Sequence, residues 1–219
     1  MFNNNCKLKQ LTKEEVKMKN ILRCMVFVVV AFCATNVWAA TKTVPVSATI
    51  PAVTGGLTVG ISKITGTGVT ALWTKNQTSI SFGTLVWDPK LFMFKPASYY
   101  AIDIGVTDNS VGGWILTHTR ADLAGQGTNL NNKVNVSFYK ETDPLGVEPG
   151  TILGSKMSFQ DSQSMIFNNT ELAGGWLRVY YGIGTADPAD PDADGVTPIG
   201  LDTPAGSYTG SVTITVTPR

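Results

Sequence analysis

A single histidine, His118, is the only imidazole in the 219 residues, and the three cysteines, Cys6, Cys24 and Cys33, all lie in the first 33. A Cys–His nucleophile or a zinc site built from several imidazoles and thiolates therefore has no ligands beyond that point. A Ser-His-Asp triad would have to use His118, yet it stands in Thr117-His118-Thr119 with no Gly-x-Ser-x-Gly elbow anywhere, and it reads as a solvated strand histidine. Phosphate-cradling glycine loops are also missing. Asp103 sits between Ile102 and Ile104, so it is expected to face solvent when they face the core. These residues do not suggest an enzyme.

One segment does suggest a cofactor. Asp190, Asp192 and Asp194, followed by Gly195, fit the first half of a calcium loop, in which alternate oxygens converge and glycine permits the sharp turn. Leu201 stands at the twelfth position, where such a loop carries a bidentate glutamate, and Pro188 and Pro191 stiffen the segment. Calcium is thus the one cofactor the sequence raises. Asn76, Asn135 and Asn168 head formal glycosylation sequons, and the many Thr and Ser side chains could equally carry O-linked sugar.

The elements that must position these groups begin after a targeting segment. Residues 18–39 read as a secretory signal peptide: Lys19 and Arg23 form the basic region, Cys24 to Ala34 the apolar one, and Val37 and Ala39 flank the cleavage point. An apolar run of about 11 residues is too short to span a bilayer, which takes about 20. Lys13-Glu14-Glu15-Val16-Lys17-Met18 is what a ribosome-binding sequence followed by a start codon would encode, so residues 1–17 are expected to be untranslated leader and the source a bacterium. The expected mature chain is secreted, lacks cysteine, carries no integral membrane segment after cleavage, and rests on core burial rather than disulfides. Of the 17 Lys+Arg and 16 Asp+Glu, six and two precede Ala40, leaving 11 against 14 with no basic block. Nucleic acid is not an expected partner, because phosphate binding calls for clustered cations.

Beyond Ala40 apolar residues recur with a period of two, separated by Thr, Ser, Gly and Asn. The runs Leu57-Val59-Ile61, Ile80-Phe82, Tyr100-Ile102-Ile104-Val106, Val134-Val136-Phe138, Leu177-Val179 and Tyr208-Val212-Ile214-Val216 predict strands, punctuated by glycine, Asp-Pro and Asp-Asn turns. No stretch keeps a helical period for three turns. The fold class is therefore all-β, a single antiparallel sandwich over residues 57–219. Gly112-Gly113-Trp114 and Gly174-Gly175-Trp176 mark two comparable strand entries, with Trp114 and Trp176 expected to cap the core. Residues 40–56 form an N-terminal arm in which Val44, Val46, Ala48 and Ile50 alternate onto one face, followed by a Gly55-Gly56 hinge. Such an arm can pair with its own sheet or with a neighbour's edge.

The C-terminal run Gly206-Ser207-Tyr208-Thr209-Gly210-Ser211-Val212-Thr213-Ile214-Thr215-Val216-Thr217 resembles the final strand of bacterial fimbrial subunits, notably archaic chaperone-usher pilins and spore-coat-U-like proteins. The resemblance implies an immunoglobulin-like or jelly-roll-like sandwich lacking one strand. A neighbour's N-terminal extension fills that gap, and the arm at Val44 to Ile50 looks like such an extension. The implied partners are further copies in a head-to-tail homopolymer, together with a periplasmic chaperone. A second segment, Val106-Thr107-Asp108 followed by Gly113-Trp114-Ile115-Leu116, is similar to that of WxL surface domains, which implies attachment to cell-wall polymer or surface glycan. The final strand has no tryptophan matching that family's second Trp-x-Leu.

Overall fold

The described residues form fourteen strands: β1 Lys42–Thr49, β2 Leu57–Thr65, β3 Leu72–Thr74, β4 Ile80–Asp88, β5 Met93–Lys95, β6 Tyr99–Val106, β7 Trp114–Gly125, β8 Thr128–Asn129, β9 Val134–Glu141, β10 Thr151–Ile152, β11 Met157–Ser158, β12 Ser164–Asn168, β13 Trp176–Ile183 and β14 Thr209–Pro218. They are drawn from a computed structural model that describes the backbone of residues 42–49 and, in full, residues 56–66, 70–107, 111–142, 146, 150–173 and 175–219. Residues 1–17 and 18–39, with Ile50 and Gly55, lie outside the described residues. Among the described residues no helix is long and apolar enough to cross a membrane.

The strands form two sheets. One runs β12-β7-β14-β1-β4-β5 with β8 beside β7; the other runs β10-β9-β13-β6-β2-β3 with β11 beside β9. All pairings are antiparallel except β1 with β14, which is parallel. Each run that alternates in the sequence becomes a strand whose alternate side chains enter one core. Ile80, Phe82, Leu116, Val212, Ile214 and Val216 come from the first sheet, and they meet Ile61, Ile102, Ile104, Val136, Phe138, Leu177 and Val179 from the second. The chain is an all-β sandwich, as its patterning predicts.

β7, the strand that the Gly112-Gly113-Trp114 entry opens, runs on to Gly125 and changes phase along its length. Trp114, Leu116 and His118 are buried at even positions, whereas Leu123 is buried at an odd one. The shift comes from a bulge: Ser211 pairs with Ala121 and Thr209 with Ala124, so Gly210 faces two residues of β7. A Cβ on Gly210 would lie 3.0 Å from the Asp122 carbonyl oxygen, so the glycine admits the bulged strand.

The two Gly-Gly-Trp entries do open one strand in each sheet, but their rings part company. Trp114 joins the core at 6 % exposure. Trp176 does not cap the core. Leu177, Val179, Tyr181 and Ile183 take the inward positions of β13, which puts Trp176 on the outer face, half-buried over Gly105 of β6.

Candidate functional site

The arm is the inner strand β1. In the single chain it lies in its own sheet, between β4 and β14. Its pairing is divided. Lys42, Thr43, Pro45 and Val46 register with Leu85, Thr84, Ser81 and Ile80 of β4, while Val46, Ser47, Ala48 and Thr49 register with Gly210, Ser211, Val212 and Thr213 of β14. Among the described residues Val46 alone is paired on both sides. The interruption on the β4 side follows from chemistry: proline has no N–H to give to a ladder, and Phe82 and Gly83 together oppose Val44 there, with Gly83 at φ +65°. The register sets Val46 opposite Ile80 and Ala48 beside Val212, and both of these partners are fully buried. Withdrawing β1 would thus open two backbone edges and the core seam between them. The second hinge glycine, Gly56, is pinned: at φ +36° its carbonyl accepts from the Thr107 N–H at 2.8 Å and from Thr107 Oγ1 at 3.0 Å, at the end of β6.

A second feature lies on the outer face of the other sheet. Asp103 points away from the core, as its parity requires, but it does not face solvent. It is 7 % exposed and accepts from Arg178 Nε at 2.5 Å and from Nη2 at 3.3 Å. Arg178 on β13 is completely buried, with Nη1 donating to the Gly146 carbonyl at 2.9 Å and lying 3.5 Å from Glu141 Oε1. Glu141 in turn accepts the Gly150 N–H at 2.7 Å. Trp73 covers the guanidinium with its ring centroid 4.9 Å away, and Tyr99 and Tyr139 pack on Tyr180 beside it. This aromatic cover is what makes an outward position a buried one. Burial works against the guanidinium's charge, but the Asp103 hydrogen bonds and charge outweigh it and hold Arg178 above the ordinary arginine range. Burial pushes the Tyr180 phenol up to about 12. The cluster ties β6, β13 and β9 together on the outside of the sandwich.

His118 is not a solvated strand histidine but a fully buried one, because it continues the inward series Trp114, Leu116. Its Nε2 lies 2.5 Å from the Tyr181 hydroxyl, across the core from the other sheet, and its ring meets Phe138 edge-on at 5.1 Å. Nδ1 has no hydrogen-bond partner among the described residues. Burial lowers the imidazole to about 4. The ring nitrogens thus meet a phenol and an apolar core, where a triad would need a carboxylate and a nucleophilic hydroxyl.

The three loop carboxylates are not brought together. Asp190 pairs with Lys156 at 3.0 Å. Asp192 accepts from Asn135 Nδ2 at 2.7 Å and from the N–H groups of Thr185 and Ala186, while Asp194 is exposed beside Gly195 at φ +77°. Among the described residues no group of three or more His, Cys, Asp or Glu could hold a metal ion. Asp192 instead fastens the loop to β9, where Asn135 Oδ1 accepts a bond from the Ala193 N–H at 2.8 Å. That contact engages both ends of the Asn135 amide, the middle sequon of the three.

The fold and these sites define an all-β sandwich whose first described strand is held by split pairing. No family model, no curated protein and no solved structure matches the chain.

Proposed function

We propose that the chain is a structural subunit of an extracellular bacterial filament of pilus or fimbria type, in which β1 of one copy completes the first sheet of the next. The observation that carries this reading is the placement of β1 between two strands, in register with the buried residues Ile80 and Val212. A slot with two backbone edges accepts a strand by β-addition: main-chain hydrogen bonds hold it, and alternate side chains select the register. On this reading each copy gives its arm to one neighbour and receives another's, so the contact between copies is head-to-tail. Such a contact does not close on itself and produces a fibre. The pilin-like Gly-x-Tyr entry into β14 supports the same reading, since β14 is one wall of the slot.

Secretion, a mature start at Ala40 and help from a periplasmic chaperone belong to this proposal. A second reading draws on the outer face of the other sheet, where Trp73, Tyr99, Tyr139, Tyr180 and Trp176 are all half-buried. Aromatic rings on an exposed sheet face suit a module that binds wall polymer or carbohydrate. That reading gives the arm no part in the activity.

Electron microscopy separates the two. The intact chain is expected to form filaments, and a chain beginning at Leu57 is expected to form none while it regains native circular dichroism when a peptide of residues 42–50 is supplied. Filaments from the shortened chain would refute donor-strand assembly. Sedimentation of the shortened chain with purified wall material would favour the surface module.

A further inference from the structure

We propose that the subunit caps itself: β1 is a removable plug for the slot it would fill in a neighbour, and assembly is an exchange of one copy's β1 for another's. This inference rests on the donor-strand reading and adds to it how the free subunit is kept from polymerising.

The pairing of β1 is what marks it as removable. A strand bracketed along its whole length would be held on both sides at each of its positions. Residues 42–45 register only with β4 and residues 47–49 only with β14, with four registered positions on each side and one shared. The β4 side is broken in its middle by the bulge at which Phe82 and Gly83 oppose Val44. The β14 side is parallel, the slightly weaker geometry per residue. Each half can therefore peel away without breaking a ladder on its opposite side, Val46 excepted. By contrast, β14 is held to β7 over nine registered positions, from Thr209 to Pro218, so that wall of the slot survives when the plug leaves.

The plug and the donor are the same segment of the same sequence. A slot filled in cis and a slot filled in trans therefore offer the same registered positions, and what separates them is the tether. A tethered arm competes at an effective concentration that reaches the millimolar range for short flexible links. Dilute chains are then self-capped monomers, and crowding at an assembly site shifts the balance towards exchange. Mass action, rather than a new contact, is the regulator.

The test uses the full chain with Cys6, Cys24 and Cys33 replaced by serine, which leaves no native thiol. Thr43→Cys and Thr84→Cys are then introduced. They are registered partners across β1 and β4, and Thr84 is exposed. Directly opposed antiparallel residues have Cα atoms about 4.5–5.5 Å apart, within disulfide range. The probe is a fluorescein-labelled peptide of residues 42–50 at about 1 mM, to match the tethered arm. The reduced protein is expected to take up the peptide, the oxidised protein to take up at least about tenfold less, and added reductant to restore uptake, since only the unlocked arm can leave. Equal uptake in the two states, or uptake in neither, overturns the self-capping inference. Failure of the donor-strand reading shows separately, as filaments from the chain lacking its arm.

Discussion

Asp103→Ala is expected to destabilise the sandwich by about 3–5 kcal/mol, the cost of leaving one member of a buried ion pair without its partner. Arg178 is completely buried and Asp103 receives two of its hydrogen bonds; once that carboxylate is gone, Glu141 at 3.5 Å is the nearest remaining anion. The guanidinium, with no exposed side-chain surface and Trp73 over one face, is poorly placed to recover its hydration. For a domain of this size the loss corresponds to a fall in Tm of roughly 6–20 °C. Removing the charges together should return most of it: Arg178→Met combined with Asp103→Leu, both made in a Glu141→Gln background so that no buried carboxylate faces an absent cation, leaves no uncompensated ion and keeps similar volume. Urea denaturation of the two single variants and the double variant measures the coupling between the pair. A loss below about 1 kcal/mol for Asp103→Ala would place the pair with exposed salt bridges and contradict the burial of Arg178.

Acidification is expected to weaken the fold through His118. The folded-state value of about 4 lies below the ordinary imidazole value of 6.5, so between these limits the unfolded chain binds more protons than the folded one. The contribution of the neutral, buried ring is thus complete above pH 6.5, is lost as pH falls towards 4, and changes no further below that. A difference of this size amounts to about 3 kcal/mol, of which about 2 kcal/mol has gone by pH 5. Replacing His118 with Phe and Tyr181 with Phe removes the titrating ring and the hydroxyl that would otherwise lose its partner. The double variant should keep its stability between pH 8 and pH 5 to within the effect of the surface carboxylates. Parallel pH profiles for the native protein and this variant would contradict the assignment.

These two groups show where reading the sequence stops. The alternation of Leu57, Ile80, Tyr100, Val134, Leu177 and Tyr208 runs is a property of each strand's own residues, and all six appear as β2, β4, β6, β9, β13 and β14. Trp176 was expected to cap the core against its own strand's alternation, in which Leu177 and Val179 claim the inward positions. The start of β7 was legible at Trp114, but its length and the inward place of His118 were not, because its third inward residue is a histidine and because Gly210, far along the chain, shifts its phase. Arg178 and Asp103 occupy outward positions that solvent would normally claim. Their burial depends on Trp73 of β3 and Glu141 of β9 arriving from separate strands, and no local pattern announces that. The acidic loop misleads for a related reason: the D-x-D-x-D spacing is compatible with a metal, but Lys156 and Asn135 lie far off in the chain and engage two of the carboxylates. The arm's alternating face was equally plain. Its two walls were not, because β4 and β14 are brought to it by the topology of the whole sheet.

The slot is tested most directly by asking whose arm lies in it. Two single-cysteine proteins, one with Thr43→Cys and one with Thr84→Cys, each lacking Cys6, Cys24 and Cys33, are mixed at high concentration and oxidised. A disulfide between them can form in the registered geometry only when β1 of one copy lies beside β4 of another. Exchange of the arm predicts a covalent heterodimer, confirmed by a cross-linked peptide that joins the two introduced thiols. No heterodimer, under conditions where the double variant closes its disulfide within one chain, would show that β1 stays at home and would contradict assembly by strand donation.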